Sequence, residues 1–263
     1  MKHSLSIIFT LALAMTLILG CKKKDDEAPS PSTPESSTFE KQVEKKWNVS
    51  PASDPAGRTT ETAETYTSFE FTDEGKYFII KADKSQLKGD FTLNVGDSIL
   101  TLDGFGKIYI DDITATQIIF RLVLIGTIDE ISVKAAPATP VSTSQNTQNL
   151  VNSWSLHSRK VNGTPDDLFN ETFSTGGYYF YVTLTDYGTY SIETNIPGTL
   201  SKIGIWKWCN TEQTRFAGTN NPEAEPDCSD SSGGHVSFDS NGNLVLTSTV
   251  NGEIHADTYV TKP

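Results

Sequence analysis

Phe69-Glu70-Phe71-Thr72-Asp73-Glu74-Gly75-Lys76-Tyr77 recurs 113 residues later as Val182-Thr183-Leu184-Thr185-Asp186-Tyr187-Gly188-Thr189-Tyr190. These two stretches decide the fold. In each, apolar residues alternate with others on both sides of an Asp-x-Gly. A period of two is the signature of a half-buried strand. Asp-x-Gly supplies a left-handed turn between two such strands, so each stretch reads as a β-hairpin. Working outward, Val43-x-x-x-Trp47 matches Leu150-x-x-x-Trp154, and Gly89-x-Phe91 matches Gly204-x-Trp206. The three offsets are 107, 113 and 115 residues. They drift by small insertions and never reorder, as a duplicated domain requires.

Short apolar runs continue the pattern in both halves. Tyr77-Phe78-Ile79-Ile80, Phe91-Thr92-Leu93, Ile99 to Leu102, Ile108 to Ile110 and Ile118 to Phe120 occur in the first. Tyr179 to Leu184, Tyr190 to Ile192, Ile203 to Trp208, Val236 to Phe238, Leu244 to Leu246 and Thr258 to Val260 occur in the second. Short strands with regular turn signals predict an all-β protein, a sandwich or a barrel. Helix is confined to short turns at 38–46 and 146–153, each leading into a Trp. Composition sets the boundaries: a signal peptide over 1–20, a polar tether over 21–38, a first domain over 39–134, a linker over 135–148 and a second domain over 149–263. The linker reading rests on Ala135-Ala136-Pro137-Ala138-Thr139-Pro140 and the Ser, Thr, Gln and Asn that follow.

The N-terminal segment suggests a cellular address. Lys2 and His3 precede an apolar run from Leu5 to Leu19, too short for a membrane span. The run stops at Ile18-Leu19-Gly20-Cys21, which resembles a lipobox. That resemblance implies cleavage before Cys21, lipidation of its thiol and a membrane anchor through the acyl chains. Lys24-Asp25-Asp26-Glu27 resembles the signal that displays some lipoproteins on the outer face of the outer membrane, so an outer-membrane location facing the cell exterior is expected. The net charge of −12 argues against nucleic acid, whose phosphates need a basic patch. Cys209 and Cys228 remain, and in an oxidising compartment they are expected to close a disulfide. The alternative, a metal site, is poor with two thiols alone.

The repeated pattern resembles the lipocalin-like domains of bacterial lipoproteins. The first half follows their layout through Trp47, Phe71, Asp73, Gly75, Tyr77, Gly89, Phe91, Tyr109, Ile110, Ile113 and Phe120. The second follows it through Trp154, Leu184, Asp186, Gly188, Tyr190, Gly204 and Trp206, then departs. The resemblance implies two tandem antiparallel β-barrels of about eight strands each, with room for side chains or one small ligand. It also implies that Trp47 and Trp154 plug one barrel end.

Trp206 and Trp208 share one side of a strand and offer either a core pair or a sugar-stacking platform, with Tyr179 and Tyr181 nearby. Asp239-Ser240-Asn241-Gly242-Asn243 looks like half of a calcium loop, but no acid closes it, and Asn241-Gly242 is a strong hairpin turn. Asp111-Asp112 and Asp166-Asp167 are paired acids, but adjacent residues of a strand face opposite sides, so neither pair is expected to work as one acid–base pair. No nucleophile, metal or phosphate motif is present. The expectation is a non-catalytic lipoprotein without a cofactor that binds a small apolar ligand or a glycan. The alternative is an accessory subunit docked on an outer-membrane protein partner.

Overall fold

A computed structural model describes residues 35–50, 65–199, 201–221, 224–229 and 234–262. Cys21 and the Lys24–Glu27 motif lie outside these residues, as do the signal peptide and most of the tether. The first domain is a closed antiparallel barrel of strands β1 (Lys46–Val49), β2 (Tyr66–Phe71), β3 (Lys76–Lys81), β4 (Gln86–Asn94), β5 (Ile99–Leu102), β6 (Gly106–Ile113), β7 (Ile118–Leu124) and β8 (Glu130–Pro137). Neighbours in sequence are neighbours in the sheet, and β1 pairs with β8 to close it. Helix α1 (Glu35–Val43) leads into β1.

The second domain repeats this plan. Helix α2 (Gln145–Leu150) leads into β9 (Asn152–Val161), which carries the two-residue β10 (Thr164–Pro165) on one side. Helix α3 (Asp167–Thr175) follows, then β11 (Phe180–Leu184), β12 (Thr189–Thr194), β13 (Lys202–Trp208), β14 (Arg215–Thr219), β15 (Gly234–Phe238), β16 (Leu244–Val250) and β17 (Glu253–Thr261). Pairing of β9 with both β11 and β17 closes this barrel. The all-β fold of two tandem barrels is therefore present.

The matched motifs serve the same purposes in both copies. Gly75 and Gly188 adopt φ of 73° and 76° at the hairpin turns. Each turn is closed by the same pair of backbone bonds, Gly75 N–H to Thr72 O and Gly188 N–H to Thr185 O among them. The Trp47 indole donates to Val43 O at 3.1 Å, and the Trp154 indole to Leu150 O at 2.8 Å. Both indoles thus satisfy a carbonyl at the helix end that has no intrahelical partner. Gly89 and Gly204 face Tyr77 and Tyr190 across the ladder, and each tyrosine ring covers its glycine.

Both barrels are filled by their own side chains. In the first, Trp47, Phe69, Phe71, Ile79, Leu100, Ile108, Phe120 and Leu122 form one buried cluster. In the second, Leu150, Trp154, Leu184, Trp206, Leu244 and Tyr259 do so, with Phe180, Val182, Tyr190 and Trp208 packed against them.

The linker boundary needs correction. Ala135, Ala136 and Pro137 belong to β8, where they pair with Val49, Asn48 and Trp47. Helix α2 begins at Gln145, capped by Ser144, so only residues 138–144 connect the barrels. That connector is pinned: Val141 N–H donates to Asp186 O, and Gln213 Nε2 donates to Ser142 Oγ at 2.9 Å. Small and proline residues look like a linker by composition, but Ala135 sits between β7 and β1 in the closed ladder, and Pro137, which has no N–H to give, is the last residue of β8. Helix α3 was not expected. Asp166 caps it, and its Asn170 side chain bonds the backbone of Arg159.

The barrels pack on each other through outer faces. Glu70 Oε2 of β2 accepts from the Thr189 hydroxyl of β12 at 2.5 Å, and Lys46 Nζ donates to the same hydroxyl at 3.1 Å. The Ser153 hydroxyl donates to Glu74 Oε2 at 2.5 Å, and Lys88 Nζ reaches Glu193 Oε1 at 3.1 Å. Phe78, which points out of the first barrel, is only 3 % exposed.

Candidate functional site

The two tryptophans singled out from the sequence do share one side of β13, and that side faces inward. Trp206 is buried in the core, and its indole donates to Thr185 O at 3.2 Å. Trp208 packs edge to face on it, with ring centroids 5.5 Å apart, and donates to Thr147 Oγ1 at 2.8 Å. Trp206 is buried and Trp208 packs half-buried on the same core cluster, and with both indole N–H groups engaged the pair is core packing and not an outward platform for a sugar. The stacking surface sketched from the sequence is corrected on this point: Trp206 and Trp208 belong to the barrel interior.

Tyr179 and Tyr181 lie on the other side of the barrel wall. Phe180, Val182 and Leu184 of β11 point into the core, so Tyr179 and Tyr181 point out. Their rings stack with centroids 4.8 Å apart and planes inclined by 16°. Lys262 Nζ sits 4.3 Å from the Tyr181 centroid. Tyr181 thus has both Tyr179 and Lys262 against its ring, and Tyr179 is 38 % exposed. The start of β11 is fixed by Asn195, whose Oδ1 accepts from Tyr179 N–H at 2.7 Å. Beside Tyr181 in the ladder lie Ser155 and Glu193. Burial pushes the Glu193 carboxyl up, but Lys88, Lys262 and Lys76 outweigh it and hold it below the usual carboxylate range.

Cys209 and Cys228 form a disulfide. It ties the end of β13 to the chain that leads from β14 to β15. The Asp239–Asn243 segment is the hairpin turn between β15 and β16: Gly242 has φ of 80°, and Asp239 Oδ1 accepts from Asn241 N–H and Asn243 N–H. Of the paired acids, Asp111 binds Arg121 and Asp112 accepts from Gln117, while Asp166 caps α3. Asp167 lies in the first turn of the same helix.

A cleft of about 470 Å³ lies between the barrels, and no sequence motif announced it. Both duplicated hairpin tips line it, one with Asp73 and Glu74, the other with Asp186 and Tyr187. Glu44 and Glu70 add two further carboxylates, and Lys41 one opposing charge. Burial pushes the Glu44 carboxyl up, as do the charges of Asp73 and Glu40, against Lys41. Burial and Asp73 likewise raise Asp186. Glu70 is 2 % exposed. The one available signal was duplication itself, since two copies of an acidic turn are present to meet.

A scan against protein-family models, a search of curated proteins and a search of solved structures each returned no match.

Proposed function

We propose that this chain is a non-catalytic glycan-binding lipoprotein, anchored in the outer membrane through lipid on Cys21 and facing the cell exterior. The observation that carries the binding reading is the outward Tyr179–Tyr181 stack, which presents an exposed aromatic ring beside hydrogen-bonding groups. Sugar rings carry C–H groups that pack on such a face while their hydroxyls need polar neighbours, here Ser155 and Glu193. The filled barrel interiors favour this form over a small apolar ligand held inside a barrel. The lipidated anchor and the lipocalin-like ancestry rest on the sequence motifs.

The test is retention of the full chain in native gels cast with a panel of soluble polysaccharides, comparing the parent with Tyr179→Ala. Loss of the exposed stacking ring removes about 1 kcal/mol, a five- to tenfold weakening. No retention by any polysaccharide, or equal retention of both proteins, would refute the reading.

A further inference from the structure

The cleft between the barrels carries an independent inference. Its carboxylates come from separate elements: Asp73 and Glu74 from one hairpin tip, Asp186 from its duplicate, and Glu70 from the wall of β2. Glu70 is the least ordinary of them. Its Oε2 is taken by the Thr189 hydroxyl, with Lys46 Nζ 3.7 Å away, and neither residue lines the cleft. Its Oε1 is fully buried and has no hydrogen-bond partner among the described residues, in a residue that lines the cleft. An unpaired buried carboxylate oxygen is costly and calls for a donor. The rim acids repel one another, which a bound cation would relieve.

The arrangement selects the kind of cation. Among the described residues no three or more Asp, Glu, His or Cys converge tightly enough to hold a metal ion. The negative charge is instead spread along a cleft whose volume suits a small molecule. Val151 and Tyr187, both half-buried, supply apolar surface between the acids. We propose that this cleft binds a small linear organic cation of the diamine or polyamine class, its ammonium groups meeting Asp73, Asp186 and Glu70 and its methylenes lying on Val151 and Tyr187. This does not depend on the glycan reading.

Isothermal titration of the full chain with spermidine and with 1,4-diaminobutane at low salt and neutral pH tests it. Saturable binding of one or both is expected. Asp73→Asn and Asp186→Asn, both at the exposed rim, should each weaken it about tenfold, the scale of one charge-assisted hydrogen bond. Glu70→Gln should weaken it similarly, with an unchanged circular dichroism spectrum reporting an intact fold. Asp97→Asn, in a distant turn, and Tyr179→Ala should leave it unchanged, which separates this site from the glycan surface. Three results would overturn the proposal: no saturable heat with either amine, equal affinity in the rim variants and in Asp97→Asn, or stoichiometric magnesium binding that the same variants abolish.

Discussion

Gly89→Ala tests the account of how the tyrosine and glycine of each copy fit together. In a strand, Ala is favoured over Gly by about 0.5–1 kcal/mol, because Gly loses more conformational freedom on folding. By that argument alone the substitution stabilises. The structure predicts the opposite sign. A Cβ on residue 89 would lie 2.6–2.8 Å from Cε1, Oη and Cζ of Tyr77. The ring cannot move freely, since it is buried and its hydroxyl donates to Asp103 O at 2.9 Å. Overpacking of this kind costs about 1–3 kcal/mol, so after a backbone gain of about 0.5–1 kcal/mol a net loss of up to about 2.5 kcal/mol is left. Gly204→Ala should cost more, because its Cβ would meet Thr219 O at 2.4 Å as well as the Tyr190 ring, and a backbone carbonyl cannot swing aside. The assay is urea unfolding at constant slope, with a double-mutant cycle through Tyr77→Leu. In the Tyr77→Leu background Gly89→Ala should become neutral or stabilising. A stabilising Gly89→Ala in the parent, or an equal cost in both backgrounds, would show that the tyrosine ring does not oppose the added methyl.

Three further outcomes follow from the described contacts. Trp47→Phe and Trp154→Phe each remove a buried indole donor from a helix-end carbonyl, so each should cost about 1–3 kcal/mol in the same unfolding assay, to a similar degree in the two copies. Cys209→Ser with Cys228→Ser opens a crosslink between residues 19 apart, and a loss of about 2–4 kcal/mol is expected, matched by reduction of the parent and absent on reduction of the variant. Glu193 is held below its ordinary value of 4.5, so its contribution is present above that pH and is lost as pH falls through the lower folded value. Glu193→Gln should therefore be less stable than the parent at neutral pH, by less than about 1 kcal/mol because the group is partly solvated, and the two melting curves should converge in acid.

Elements that depend on near neighbours were legible in the chain. Alternation around Asp-x-Gly defined the hairpins, because strand period and turn chirality are local properties of the chain. The order of matched motifs established the duplication; that each copy closes into a barrel and not a sandwich was only an implication of the lipocalin-like resemblance. Strands without a strong apolar run were not legible: β1, β14 and the end of β8 are held by pairing across the barrel, and Ala135–Pro137 carries no propensity of its own. Helix α3 was hidden for a related reason, since one short amphipathic turn resembles a polar loop until its cap and Arg159 are seen beside it.

Only the tertiary structure decided which faces are covered. Two aromatic pairs, Trp206–Trp208 and Tyr179–Tyr181, look equivalent in sequence, yet one is core and the other surface, because barrel closure fixes which side of each strand is inside. Thr189 and Ser191, polar residues on the outer side of β12, are almost fully buried, and so is Phe78 on the outer side of β3. A hint was present in Tyr77-Phe78-Ile79-Ile80, apolar on both sides of its strand, which signals cover on both sides. What supplies the cover is the other barrel. The acidic cleft arises the same way: each hairpin tip is an ordinary turn in the chain, and their convergence depends on how two folded copies pack, a distance that local propensity does not encode.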